Sequence, residues 1–253
     1  MSQAERLATA TALCAALAAA DPAFALRPFD STDADVAAPG ELELELELGP
    51  AGWLRQGSKR ALIAPAAVGN FGLPGDRELV AQGRREVALD RGPGEPRSSI
   101  DENGVFMKQV LRRGVLQDAS GPSVATEYGV LLPSVRGEGG TGASVAWIVS
   151  QRTDAVTVHL NAVFAWTRKH ESDLFLGAVF EAPNGWTVRP VAEVFGEQTS
   201  ASPRTTSRLA GAIWRVSQDL SFDAGIRGAH EGGENVRELR LGLTWIFSLG
   251  KEP

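Results

Sequence analysis

The stretch from Thr206 to Phe247 constrains the fold more than any other. It contains three runs of about ten residues that alternate in polarity. In the last run Leu239, Leu241, Leu243, Trp245 and Phe247 share one parity, and Glu238, Arg240, Gly242 and Thr244 share the other. Side chains alternate across a strand, so each run has one apolar face and one polar face. The first turn between the runs is short, Ser217-Gln218-Asp219; the next, Ala229 to Asn235, is longer and rich in Gly, Glu and Asn. Strands of about ten residues joined by alternating short and long turns are the pattern of a transmembrane β-barrel.

Composition is compatible with this reading. Beyond the N-terminus no run of 18 or more apolar residues appears, which removes a helical membrane protein from consideration. A hydrophobic fraction of 43% leaves a barrel open, because strands with one lipid face and one aqueous face average to moderate hydropathy. The net charge of −6 disfavours a nucleic-acid partner. The single cysteine, Cys14, excludes a disulfide framework.

Met1 to Ala25 has the organisation of a secretory signal peptide. Arg6 supplies the basic region, Leu7 to Ala20 the apolar region, and Ala23-Phe24-Ala25 an A-x-A cleavage site. The competing reading is a short amphipathic helix, to which Glu5 would belong. Residues 26–40, with Pro28, Pro39 and Gly40, are expected to form a periplasmic lead-in. Residues 41–248 would form the barrel and residues 249–253 a short tail.

Glu41 to Leu48 alternates without a break and is bounded by Gly40 and Gly49-Pro50, so it is assigned to a strand despite the helix propensity of Glu and Leu. Twelve strands are predicted: 41–48, 59–68, 77–89, 103–113, 122–132, 142–151, 154–166, 173–181, 186–197, 205–216, 219–229 and 236–247. Ten or fourteen would survive modest changes, and the second strand contains Pro65, which removes a ladder donor. The connections after even-numbered strands are short or compact. Most of those after odd-numbered strands are longer and more polar, as for periplasmic turns and outer loops. The fold class is therefore all-β, a single antiparallel up-and-down barrel in the bacterial outer membrane.

The strands assign their faces. Val158, Leu160, Phe164 and Trp166 would point to lipid, and Thr157, His159 and Asn161 to the lumen. Val188 and Val194 would point outward, and Arg189, Glu193 and Glu197 inward. Phe222 and Ile226 would point outward, and Asp223 and Arg227 inward. Trp166, Trp186, Trp245 and Phe247 stand at strand ends, where aromatic girdles meet headgroups. Arg85 breaks the pattern by sharing parity with Leu79, Ala81 and Val87; either a bulge near Gly83 shifts parity or Arg85 sits at the outer rim. A soluble β-protein with a dry core would alternate in the same way. Strand length, strand number and the terminal aromatics favour the membrane.

The polar parity collects Glu41, Glu43, Glu45, Glu47, Glu127, Glu193, Glu197, Asp223 and Glu238 with Arg189, Arg208, Arg227 and Arg240. These groups, with His159 and Asn161, are the candidate lumen lining. Two readings stand. The charges pair into a plug, or they line a water path in which excess acid favours cations. No catalytic residue, metal site or cofactor is assigned. His159, His170 and His230 lack ligand spacing, and Gly137-Glu-Gly-Gly-Thr-Gly142 lacks the Lys-Ser/Thr of a phosphate loop. A hydrolytic group would need His159 and Asn161 beside Ser144 or Ser150.

Four stretches resemble a family of bacterial outer-membrane proteins named for a phenol meta-cleavage degradation pathway. They are Arg27-Pro-Phe-Asp-Ser-Thr-Asp-Ala-Asp with Gly40-Glu-Leu-Glu-Leu-Glu; Gly121-Pro-Ser-Val-Ala through Leu132-Pro133; His159-Leu-Asn161 with Ala192-Glu-Val-Phe-Gly-Glu197; and Asp223-Ala-Gly-Ile-Arg-Gly228 with Gly242-Leu-Thr-Trp-Ile-Phe247. The resemblance implies a barrel for passive passage or uptake of small molecules, hydrophobic ones among them, and brings no catalytic residues. The expected partners are the lipid bilayer, the outer-membrane assembly machinery and a small-molecule solute. Many such barrels end on an aromatic residue, whereas Phe247 is followed by Ser-Leu-Gly-Lys-Glu-Pro. The alternatives are a structural or adhesive barrel with a plugged lumen, and an outer-membrane hydrolase.

Overall fold

A computed structural model describes residues 28–47, 52–201 and 203–249. The expected leader, 1–25, lies outside these residues, as do 250–253 of the expected tail. The described chain is built almost wholly of antiparallel strands: β1 (Glu41–Glu47), β2 (Gly52–Gln56), β3 (Lys59–Leu73), β4 (Arg77–Ala88), β5 (Ser98–Arg112), β6 (Ser123–Leu131), β7 (Gly142–Arg152), β8 (Thr157–Trp166), β9 (Ser172–Glu181), β10 (Val188–Thr199), β11 (Thr205–Arg215), β12 (Leu220–Glu231) and β13 (Glu234–Ser248). One 3-10 turn, Val115–Gln117, caps the short-turn end between β5 and β6.

The sheet closes on itself. β1 pairs with β13 on one side and β3 on the other, with Leu42 opposite Phe247 and Phe71. β2 occupies the same slot further along, with Arg55 opposite Arg237 and Arg60. β1 and β2 are thus two segments of one stave, and the barrel has twelve staves with no free edge. Each predicted strand is found, and the segment that alternation missed is Gly52–Gln56. It is only five residues long, follows Gly49-Pro50, and has too few positions to show a period.

The two sequence irregularities have local solutions. Between Ile63 and Ala66 the β3–β4 register shifts, and Pro65 occupies the resulting bulge, where no ladder donor is required. Near Gly83 the register also shifts, but the extra residue belongs to β5: Gln82 and Arg84 face Gly104 and Asp101. Parity along β4 is therefore unbroken. Arg85 stays on the outside near the loop end of its strand, opposite Ile100, with Nη1 3.5 Å from the Ala64 carbonyl.

The barrel is inverted relative to a soluble protein. Leu176 and Ile226 on the outer face are 54% and 69% exposed, whereas Glu193 and Glu238 on the inner face are 1% exposed. Trp147, Leu160, Val194 and Trp214 continue the apolar exterior around the wall. A band of this extent is explained by hydrocarbon rather than water around it. One residue faces the other way from its expectation: Arg208 is exposed outside and Leu209 is buried inside. Arg208 lies near the loop end of β11, where a charge can reach water beside the headgroups.

This orientation makes a quantitative prediction. Leu176 lies near the middle of β9, so Leu176→Arg should lower stability by about 2–4 kcal/mol. Thr206→Arg, on the same exterior near the loop end, should cost about 0–1 kcal/mol. Urea unfolding of the protein in phospholipid vesicles measures both; equal costs at the two positions would contradict the assigned depth.

Candidate channel lumen

The inner face of each strand projects polar side chains, and the space between them is not empty. Residues 28–40, the expected periplasmic lead-in, run inside the barrel from mid-lumen to the short-turn end. The correction has a physical basis. An irregular segment carries backbone N–H and C=O groups that need partners, and the lumen wall supplies them. The Glu193 carboxylate accepts the N–H groups of Asp30 (3.1 Å) and Ser31 (2.8 Å). Asn161 accepts the Thr32 N–H (3.0 Å) and donates to the Thr32 carbonyl (2.7 Å). Ser150 Oγ accepts from Ala34 N (2.9 Å), and Glu78 from Ala37 N (2.7 Å). Gln117 donates to the Ala34 carbonyl (2.9 Å), and Arg240 to that of Pro28 (2.7 Å).

The wall also makes room for this segment. A side chain at Gly177 would run into Ser31 Oγ, and one at Gly72 into the Ala37 and Ala38 carbonyls. Ala34 closes a small apolar contact with Ala125, Ala146 and Ile148, with Leu116 against it. This dry patch sits at the short-turn end, beneath the polar bonds.

Two charge clusters grip the segment, one at Asp30 and one at Asp33. In mid-lumen, Glu238 lies 3.0 Å from Arg84 and Arg240 and 3.3 Å from Arg227. Asp30 of the segment joins it, 3.0 Å from Arg240 and 3.5 Å from Arg227. Nearer the short turns, Lys108 lies 3.3 Å from Asp33 and 3.4 Å from Glu78. Buried charges require this degree of pairing, because an isolated one would be too costly to desolvate.

Cavities run beside the segment. A mouth of about 490 Å³ opens on the long-loop side, lined by Arg84, Glu102, Phe175, Phe195, Glu197, Arg227, Glu231 and Arg240. Below it, about 180 Å³ lies between Pro28, Phe29, Glu45, Glu47, Arg84 and Arg240. A third space of about 190 Å³ continues past Asp33, Asp35 and Ala37. Successive cavities share wall residues: Arg84, Glu102 and Arg240 join the first two, and Phe29, Glu45 and Gln82 the last two. The third is lined by Asp30, Asp33, Asp35, Glu43, Glu45, Glu78 and Glu127 against one cation, Lys108.

The expected lumen residues fall in distinct places. Glu43, Glu45, Glu47 and Glu127 stand along the β1 and β6 walls beside the third cavity or just above it. Glu193, Asn161, Arg227 and Arg240 hold the segment, and Glu238 pairs with both of these arginines. Glu197 faces the mouth, Asp223 is buried on β12, and Glu41 lies at the short-turn rim, 3.5 Å from Ser248 Oγ. His159 and Arg189 converge elsewhere: His159 Nδ1 is 2.7 Å from Ser150 Oγ, and its Nε2 is 3.8 Å from Glu181, which Arg189 meets at 3.1 Å. Ser150, His159 and Glu181 resemble a hydrolytic row, but Ser150 Oγ is fully buried and already accepts the Ala34 N–H. A substrate would have to displace the segment to reach it.

Sequence reasoning missed Glu78, Arg84, Lys108, Glu181 and the paired rings Phe175 and Phe195, 4.8 Å apart. Parity along β4 and β5 carried the signal for the first three, since Glu78, Val80, Gln82 and Arg84 alternate with an outward set. The two Phe residues occupy polar-parity positions and read as exceptions until the mouth is seen.

No family model matches the chain, and no curated protein matches it. Solved structures do match in fold. An outer membrane channel from Pseudomonas putida F1 aligns with a TM-score of 0.61 at 9% identity, covering 87% of this chain and 100% of that one. A KdgM porin aligns with a TM-score of 0.55 at 9% identity, covering 82% and 99%. The same porin in complex with disordered oligogalacturonate gives 0.57 at 8% identity, with the same coverage. At these identities the likeness is one of fold alone, a closed antiparallel β-barrel.

The held segment predicts a local response. Asn161→Ala removes both bonds to Thr32, so amides of residues 31–37 should exchange about tenfold faster or more, for a loss of about 1.4 kcal/mol or above. Barrel amides should be unchanged. Hydrogen exchange read by mass spectrometry checks this, and unaltered protection of 31–37 would show that other contacts hold the segment.

Proposed function

We propose that this chain is a narrow outer-membrane channel for passive passage of small solutes, with residues 28–40 as its resident constriction. The observation that supports it most is the series of cavities sharing wall residues from the mouth to the short-turn end. The apolar exterior and the fold likeness support placement in the bacterial outer membrane. The family resemblance carried by the four sequence stretches points the same way and adds the suggestion of hydrophobic solutes. The Phe175–Phe195 pair, with Leu54 and Val236, is the apolar part of the mouth that suits such molecules; deeper in, charged and polar side chains predominate.

Carboxylate excess around the third cavity favours cations over anions. The oligogalacturonate found with the KdgM porin is a polymer of acidic sugars, so a lumen of this charge argues against a similar cargo here. We read the Ser150–His159–Glu181 row as an anchor for Ala34 rather than a nucleophile. The extensive bonding of the segment also supports a second reading, a barrel that stays shut and acts through its outer loops.

Planar bilayer recordings across a KCl gradient test the proposal. The expected result is small unitary steps with a reversal potential of cation-selective sign, and larger steps from a Glu193→Ala/Asn161→Ala variant. Anion selectivity would overturn the charge argument. Silence from both proteins, with insertion verified, would favour the closed barrel.

A further inference from the structure

The strand register gathers arginines on the outside of the barrel where the long loops begin. Arg208 of β11 lies opposite Gly228 of β12, which lies opposite Arg237 of β13. Arg237 is opposite Arg55 of β2, and Arg55 is opposite Arg60 of β3. All four arginines are exposed. The next outward row toward the short turns is apolar throughout: Ala210, Ile226, Leu239, Trp53 and Leu62. A basic row therefore stands directly above hydrocarbon-facing wall.

Residues opposite one another on neighbouring strands have Cα atoms about 4.5–5.5 Å apart, and like charges so placed destabilise a sheet. Arg237, Arg55 and Arg60 form such a run. Asp90 answers one of them, with Arg60 donating to its two oxygens at 2.6 and 2.8 Å. Those hydrogen bonds hold the Asp90 carboxyl below the usual carboxylate range, so it stays charged. Arg55 Nε donates to the Gly57 carbonyl at 3.1 Å. Among the described residues, Arg208 and Arg237 make no ion pair. Arg204 adds to the surplus by laying its guanidinium over Gly196 on the outer side of β10, 3.1 Å from where a Cβ would stand.

A surplus of guanidinium above an apolar wall matches a ligand with anionic oxygens above acyl chains. Guanidinium forks bind phosphate bidentately. We propose that this band docks a phosphorylated glycolipid of the outer leaflet. Its phosphates would sit on Arg208, Arg237 and Arg55, and its chains on Ile226, Leu239, Trp53 and Leu62. The inference rests on the outer-membrane placement with long loops outside, and is independent of whether the lumen conducts.

Native mass spectrometry of the full protein in detergent, titrated with bis-phosphorylated lipid A, tests it. Dephosphorylated lipid A and inorganic phosphate serve as comparison and competitor. Wild type should retain the phosphorylated lipid, and Arg55→Ala/Arg237→Ala should lower its retention at least about tenfold. Arg77→Ala/Arg113→Ala, at the short-turn end, should leave it unchanged. Heat-dependent gel migration verifies the fold of each variant, and Arg237→Gln alone, expected to lower retention severalfold, serves if the double variant fails to fold. Equal retention with and without phosphate, equal loss in both double variants, or full displacement by inorganic phosphate would overturn the lipid site. Failure of wild type to partition into vesicles would overturn the membrane placement along with it.

Discussion

Hydrocarbon offers backbone N–H and C=O groups no partner, and each one left unsatisfied there costs several kcal/mol. A chain that crosses a membrane with strands must therefore close its sheet. In this barrel the closing stave is shared by β1 and β2, each paired on both sides to β13 and β3. Closure fixes the period of two, because each strand then has one face to lipid and one to the lumen. Leu44 and Trp245 outside, with Glu45 and Thr244 inside, are that rule applied to one register pair after another.

The same closure creates a second problem. A twelve-stave barrel whose inner faces carry Glu43, Glu78, Glu193, Glu238, Arg84, Arg227 and Arg240 confines charge in a narrow space. The wall pairs part of it internally, as in the Glu238 cluster. The rest is answered by the segment at 28–40, which brings Asp30 to Arg240, Asp33 to Lys108, and backbone N–H groups to Glu193 and Glu78. The segment and the wall satisfy each other. Carboxylates beside the third cavity exceed the cations there, and this imbalance is what the proposed passage would present to a solute.

Much of this was legible in the sequence, and the reasons for what was not are specific. Alternation located all twelve staves because each half-exposed strand is long enough to show its period. It missed Gly52–Gln56, which is too short, and it placed Arg208 inside because polarity alone does not encode depth. The candidate lumen residues were readable from parity along each strand, but which of them meet depends on register between strands. Ser150 and His159 come together only because β7 and β8 pair them. The path of residues 28–40 left no periodic signal, since its order comes from side chains on seven strands and the 3-10 turn rather than from its own repeat. Small and polar residues such as Ser31, Thr32 and Ala34 suit a confined segment, yet they equally suit an exposed linker.

The central claim is that residues 28–40 set the passage. Ser31 and Gly177 lie close enough for a tether, so a Ser31→Cys/Gly177→Cys variant can lock the segment to β9 with a disulfide. Single-channel conductance would be recorded oxidised and then reduced, with the bond verified by mass spectrometry. The account predicts a low, steady conductance when oxidised that rises and fluctuates on reduction. Identical conductance in the two states would contradict it, and would mean that solutes pass, or fail to pass, without any movement of this segment.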